Sequence, residues 1–153
     1  IGPNKVNYRQ TVANGLAWML TQQKADGSFS HNMYEHAIAT IPLCEACGMT
    51  GDKGPIFYAA QKAINFIVAA QGPDGSWGYG PKANGDTSIV GWQIQALQSG
   101  RLVKDLVVDK EAFVRAGKFL DSVQTGASGS NYGYRAPEAR LTLTPVGLLC
   151  RYY

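Results

Sequence analysis

Hydrophobic positions along the chain recur at helical spacing. Ala112, Ala116, Phe119, Leu120 and Val123 fall at i, i+4, i+7, i+8 and i+11, with Lys110, Glu111, Arg115, Lys118 and Asp121 mostly opposite. One apolar stripe of this kind predicts an amphipathic helix, and Asp109 is placed to cap it. Counterpart helices are expected over about Tyr8–Gln23 and Pro55–Gln71, the second with Pro55 in the first turn, where a missing N–H costs nothing. A second kind of segment is apolar nearly all round: Glu35–Gly48, Asp86–Gly100 and Leu141–Tyr153. Such helices are expected to be buried on most sides. Pro42 should kink the first of them. No alternating strand pattern is visible, and Leu102–Val108 reads as a loop. The expected class is all-α.

The two kinds of segment alternate because the chain repeats itself. Gln23-Lys24-Ala25-Asp26-Gly27-Ser28-Phe29 matches Gln71-Gly72-Pro73-Asp74-Gly75-Ser76-Trp77 at a period of 48. A looser third copy begins at Gln124 and runs to Tyr132, after a step of 53. In each copy an aromatic residue precedes the Gln by five positions: Trp18, Phe66, Phe119. The reading is one domain over residues 1–153, with repeats at about 7–54, 55–108 and 109–153. Each repeat pairs an amphipathic outer helix with a buried inner helix, and stacking them gives a double-layered curved wall.

Composition narrows the partners. The chain has 153 residues, is 45% hydrophobic and carries a net charge of +3, with no run of Lys or Arg. Neither nucleic acid nor an anionic membrane is therefore expected as a partner. The longest apolar run, Ala63 to Ala70, is broken by Asn65, so no membrane span is expected. Three cysteines, Cys44, Cys47 and Cys150, do not make a disulfide framework, and a reducing, cytoplasmic compartment is expected. No signal-peptide pattern opens the chain. It starts at Ile1-Gly2-Pro3 and stops inside an expected helix, so a longer gene product is anticipated.

The Gln-x-x-x-Gly-x-Trp spacing at the end of an amphipathic helix resembles the QW motif of squalene–hopene and oxidosqualene cyclases. The helix-pair repeat is similar to that of protein prenyltransferase β subunits. The resemblance implies an α/α toroid, here three α-hairpin repeats forming part of the ring, with inner helices around a central cavity. It also implies structural roles for Gln23, Gly27, Phe29, Gln71, Gly75, Trp77, Gln124 and Tyr132: the Gln ties helix ends together and the aromatic packs over a neighbouring helix end. Physical chemistry agrees. A Gln amide both donates and accepts at unpaired helix-end groups, Asp-Gly permits a tight turn with positive φ, and the aromatic buries a large face. The third copy lacks Asp-Gly and has Tyr132 for Trp, so a longer, looser loop is expected.

The chemistry of that superfamily is not spelled in the chain. There is no Asp-x-Asp-Asp, no Asp-x-Cys zinc pair and no Gly-Cys-Gly-Glu-Gln thioester stretch. Cys44-Glu45-Ala46-Cys47 has no second Cys pair, and buried packing is the better reading. His31 and His36 flank Glu35 without His-Glu-x-x-His spacing. Gly80–Thr87 nearly spells a P-loop, but Asp86 stands where Lys must be. No metal and no cofactor are expected. What remains is positional. Tyr34, Glu35 and His36, then Asp86, Thr87 and Ser88, then Tyr132, Tyr134, Arg135, Arg140 and Thr142 mark the inner-helix N-termini on one rim, with Tyr79 nearby and Trp92 a turn further in. The carboxylates there serve as helix caps or as part of a ligand-binding rim. The expected function is a non-catalytic binding or scaffold module, taking an apolar or isoprenoid-like ligand. The alternative is part of a terpenoid cyclase or prenyltransferase whose catalytic residues lie outside the segment. Three hairpins leave apolar end surfaces, so self-association, or cover by further repeats of the same polypeptide, is anticipated.

Overall fold

The computed structural model describes residues 8–153, so the repeat boundary expected near residue 7 lies outside the described residues. The protein is all-α in class. Its helices are α1 (Arg9–Gln22), α2 (Met33–Thr50), α3 (Pro55–Ala70), α4 (Thr87–Arg101), α5 (Lys110–Ser122) and α6 (Leu143–Tyr152). Helix ends follow local chemistry. Asn32 caps α2 through Tyr34 N, Asp109 caps α5 through Glu111 N, and Pro55 opens α3. Gly51, at φ 67°, closes α2 and returns its N–H to the Cys47 carbonyl. Pro42 lies inside α2, which continues past it.

α2 packs against α4, and α4 against α6, so the segments read as inner helices form one row. α3 contacts α1, α2 and α4, and α5 contacts α4. The core lies between: Met33 and Leu43 from α2, Ile64 and Ile67 from α3, Ile89, Ile94 and Leu97 from α4, and Leu120 from α5 are all essentially inaccessible. Close approach at α6 depends on Gly147, where a Cβ would overlap the Tyr132 ring.

Three expectations are corrected. Gln124–Thr125 (β1) and Asn131–Tyr132 (β2) pair as a two-residue antiparallel ladder around a 3-10 turn, Ala127–Gly129, where only loop was expected. The ladder forms because a longer third loop must satisfy its own backbone groups. α6 is not buried nearly all round: only Leu143 and Gly147 are buried, while Leu148, Leu149 and Tyr152 are exposed, because α4 and β2 cover one side only. α1 has no buried residue, and Trp18 is 64% exposed although its counterpart Phe119 is 5% exposed. The loop after α4 does pack inward, with Val103 and Leu106 buried.

Candidate functional site

The two Asp-Gly loops share one construction. In the first, Asp26 Oδ1 accepts from Ser28 N and Ser28 Oγ, and Lys24 N donates to the Ser28 carbonyl. In the second, Asp74, Ser76 and Gly72 make the same bonds. Gly27 and Gly75 adopt φ 90° and 86°, which L side chains avoid. Gln23 Nε2 donates to its own loop at Gly27 O (3.0 Å) and across to Ala59 O of α3 (2.9 Å). Gln71 Nε2 repeats this with Gly75 O (2.8 Å) and Ala112 O of α5 (2.9 Å). Each loop therefore fastens the helix before it to the next odd-numbered helix. Gln124 bonds only its own loop in this way, at Gly129 O (2.5 Å). Trp77 is fully buried and donates its Nε1–H to Ile67 O (2.8 Å), while Phe29 is partly buried against the core.

The N-termini of α2 and α4 and the loop before α6 gather part of the expected rim around Asp86, a fully buried carboxylate. Its Oδ1 caps α4, accepting from Ser88 N (3.0 Å), Ile89 N (3.1 Å) and Ser88 Oγ (2.5 Å). The Ser88 proton is thus committed to Asp86, so the Tyr34 hydroxyl is the donor in its 2.5 Å contact with Ser88 Oγ. Burial raises the Tyr34 phenol pKa and keeps that proton in place. Tyr79 lies against Tyr34 with ring centroids 5.8 Å apart. Asp86 Oδ2 makes no hydrogen bond; Arg135 Nη2 stands 3.8 Å from it, with its guanidinium over the Tyr134 ring. Proximity to the Asp86 carboxylate, then burial, raises the Tyr134 phenol. Thr87 holds the loop that carries Tyr134, donating its N–H to Tyr134 O and its hydroxyl to Gly133 O.

Other expected rim residues point elsewhere. Glu35 is exposed in the first turn of α2. His36 is not at the rim but buried between α2 and α3, where its Nδ1 accepts from Phe29 N and its Nε2–H donates to Ala63 O. Burial lowers its pKa, which keeps the ring neutral in that tautomer. Tyr132 lies over Gly147 and accepts from Arg151 Nε. Arg140 is paired with Glu138 on the surface.

Beside Ser88 an open, mostly apolar cleft of about 180 Å³ runs between α4 and α6, lined by Trp92 and Gln95 and by Val146, Leu149, Cys150 and Tyr153. Except for Trp92 these residues escape the sequence reading, because nothing local says which side of α6 meets α4. Ile38, Trp92 and Leu148, each six residues after its helix's N-cap position, are all at least one-third exposed. α2, α4 and α6 thus each expose an apolar side chain at the same position counted from the helix start.

Nothing in this site is activated for attack. Burial pushes the Cys150 thiol up to about 11 and Cys44 to about 12, so both are protonated at neutral pH. His31 is exposed, with its Nε2 3.5 Å from Asp26 Oδ2. Among the described residues no group of three His, Cys, Asp or Glu side chains could hold a metal ion, and no helix is long and apolar enough to cross a membrane. The arrangement suits binding: a rigid polar end at Asp86 and Tyr34 beside an apolar cleft. No protein-family model, curated protein or solved structure matches the chain.

Proposed function

We propose that this chain is a segment of an α/α-toroid array, three α-hairpin repeats with inner and outer layers, acting as a non-catalytic binding module for an apolar, isoprenoid-like ligand. The layered reading draws support from the Gln23 and Gln71 amides, which bond successive odd-numbered helices in the same register. The ligand reading is carried by the cleft between α4 and α6, whose exposed lining is predominantly apolar and includes Trp92 from the aligned set Ile38, Trp92 and Leu148. An exposed apolar cleft with a few polar groups at one end is a common form of ligand site. Protonated thiols and a serine hydroxyl already donated to Asp86 favour retention of the ligand over its conversion.

The test is incubation with a lipid extract, removal of unbound material and native mass spectrometry. The wild-type chain is expected to retain an apolar molecule, and Trp92→Glu to lose it. Retention of nothing, or equal retention by Trp92→Glu, overturns the ligand reading. Turnover of a farnesyl or squalene-type substrate overturns the non-catalytic one.

A further inference from the structure

We propose that copies of this chain associate head to tail, with the third loop of one copy seated on α1 of the next. The inference rests on the register of the Gln bonds and not on the ligand. That interface is already built twice inside the chain. The acceptor carbonyls, Ala59 and Ala112, lie twelve residues before the next Gln, at Gln71 and Gln124. The backbone against which each loop glycine rests lies nine residues before it. A Cβ on Gly27 would sit 2.5 Å from Lys62 O, and one on Gly75 would overlap Arg115 O. Counting back from Gln23, the same two positions on α1 are Thr11 and Asn14.

Both ends carry the marks of an unused half. On the donating end, Gln124 bonds Gly129 O as Gln23 and Gln71 bond Gly27 and Gly75, and Gly129 shares their positive φ, at 66°. Among the described residues no helix supplies the second acceptor carbonyl. Ser130 is exposed, whereas its counterparts Ser28 and Ser76 are fully buried. On the receiving end, α1 buries no residue and leaves Val12 and Trp18 more than half exposed. Asn14 also answers the side chain of Arg115, which donates to Gln71 Oε1 (2.6 Å). Its Oδ1 already accepts from Gln10, leaving its own N–H₂ to meet Gln124 Oε1, which accepts from Arg151 Nη2 at 3.5 Å and keeps a second lone pair. A donating end and a receiving end on one chain make a heterologous contact, which closes a ring if the rotation permits and otherwise extends.

Sedimentation and light scattering at micromolar concentration should give multiples of 16.5 kDa. Gln124→Ala and Trp18→Glu should each weaken association by at least about tenfold with the circular dichroism spectrum unchanged. Mixing Asn14→Cys protein with Ser130→Cys protein and a short bis-maleimide should link one to the other, beyond the background from Cys150. A monomer at these concentrations overturns the proposal and leaves the surfaces to further hairpins of a longer polypeptide. Assemblies that link Asn14→Cys to itself and ignore Gln124→Ala overturn it as well. A lipid-extract result of either sign leaves these outcomes untouched.

Discussion

Gln71→Ala removes the most heavily used side chain in the repeat loops. Gln71 is 5% exposed and makes three hydrogen bonds: two from Nε2 to carbonyls of its own loop and of α5, and one received from the Arg115 guanidinium at 2.6 Å. A neutral hydrogen bond contributes about 1 kcal/mol net and one to a charged group about 1.5–3 kcal/mol. Ala112 O sits within α5 and keeps its helical partner, so its loss falls at the low end. The expected cost is about 3 kcal/mol, a fall in Tm of roughly 6–12 °C for a chain of this length. Gln23→Ala gives an internal scale: two neutral bonds, half-buried, and an expected cost of about 1–2 kcal/mol. Gln71→Glu keeps the Arg115 contact but turns an acceptor towards two carbonyls, so it should be at least as damaging as alanine. Urea unfolding followed by far-UV circular dichroism measures all three, and a cycle with Arg115→Ala isolates the charged bond. If Gln71→Ala stays within about 0.5 kcal/mol of wild type, or Gln23→Ala costs more, the reasoning that the loops fasten helix to helix is wrong.

Two further outcomes follow from the same packing. Gly75→Ala should cost at least about 2 kcal/mol, from a positive φ and from collision with Arg115 O, whereas Gly15→Ala, inside α1 with open space around it, should raise helix stability by about 0.5–1 kcal/mol; thermal melts of both variants decide. Burial lowers the pKa of His36 below its unfolded value, so between those two values the unfolded chain binds a proton that the folded chain refuses. The His36 contribution is full above about pH 6.5 and is lost as pH falls below it, at no more than about 1.4 kcal/mol per pH unit. Urea midpoints from pH 7 to pH 5 should fall for wild type and flatten in that window for His36→Gln; an unchanged slope refutes the assignment.

What was legible in the sequence was what short spacing controls. The helices, the Asp-Gly turns and the caps at Asp86 and Asp109 depend on neighbours within about four residues, and they lie where the pattern puts them. The rim was half legible for a geometric reason. Consecutive residues on an α-helix point about 100° apart, so Tyr34 reaches Ser88, Glu35 faces solvent and His36 turns to α3 although the three are adjacent. The Tyr34–Ser88 bond, the Arg135–Asp86 pair and the cleft on α6 join residues about fifty positions apart, and no local pattern encodes such meetings. The exposure of α1 and of α6 was illegible in their own stripes, because what a stripe packs against depends on the number of neighbours.

The bonds that Gln23 and Gln71 make to α3 and α5 both run one way, from an earlier loop to a later helix, and this gives the fold a direction in time. During synthesis the first loop leaves the ribosome before α3 does, and the second before α5. Each arriving helix meets a finished surface holding a donor ready for one of its carbonyls, so docking can proceed as fast as translation. Run backwards, the same order says where the native chain loosens. α3 and α5 are each gripped from behind, while α1, with no such grip among the described residues, is the segment whose amides should exchange with solvent first.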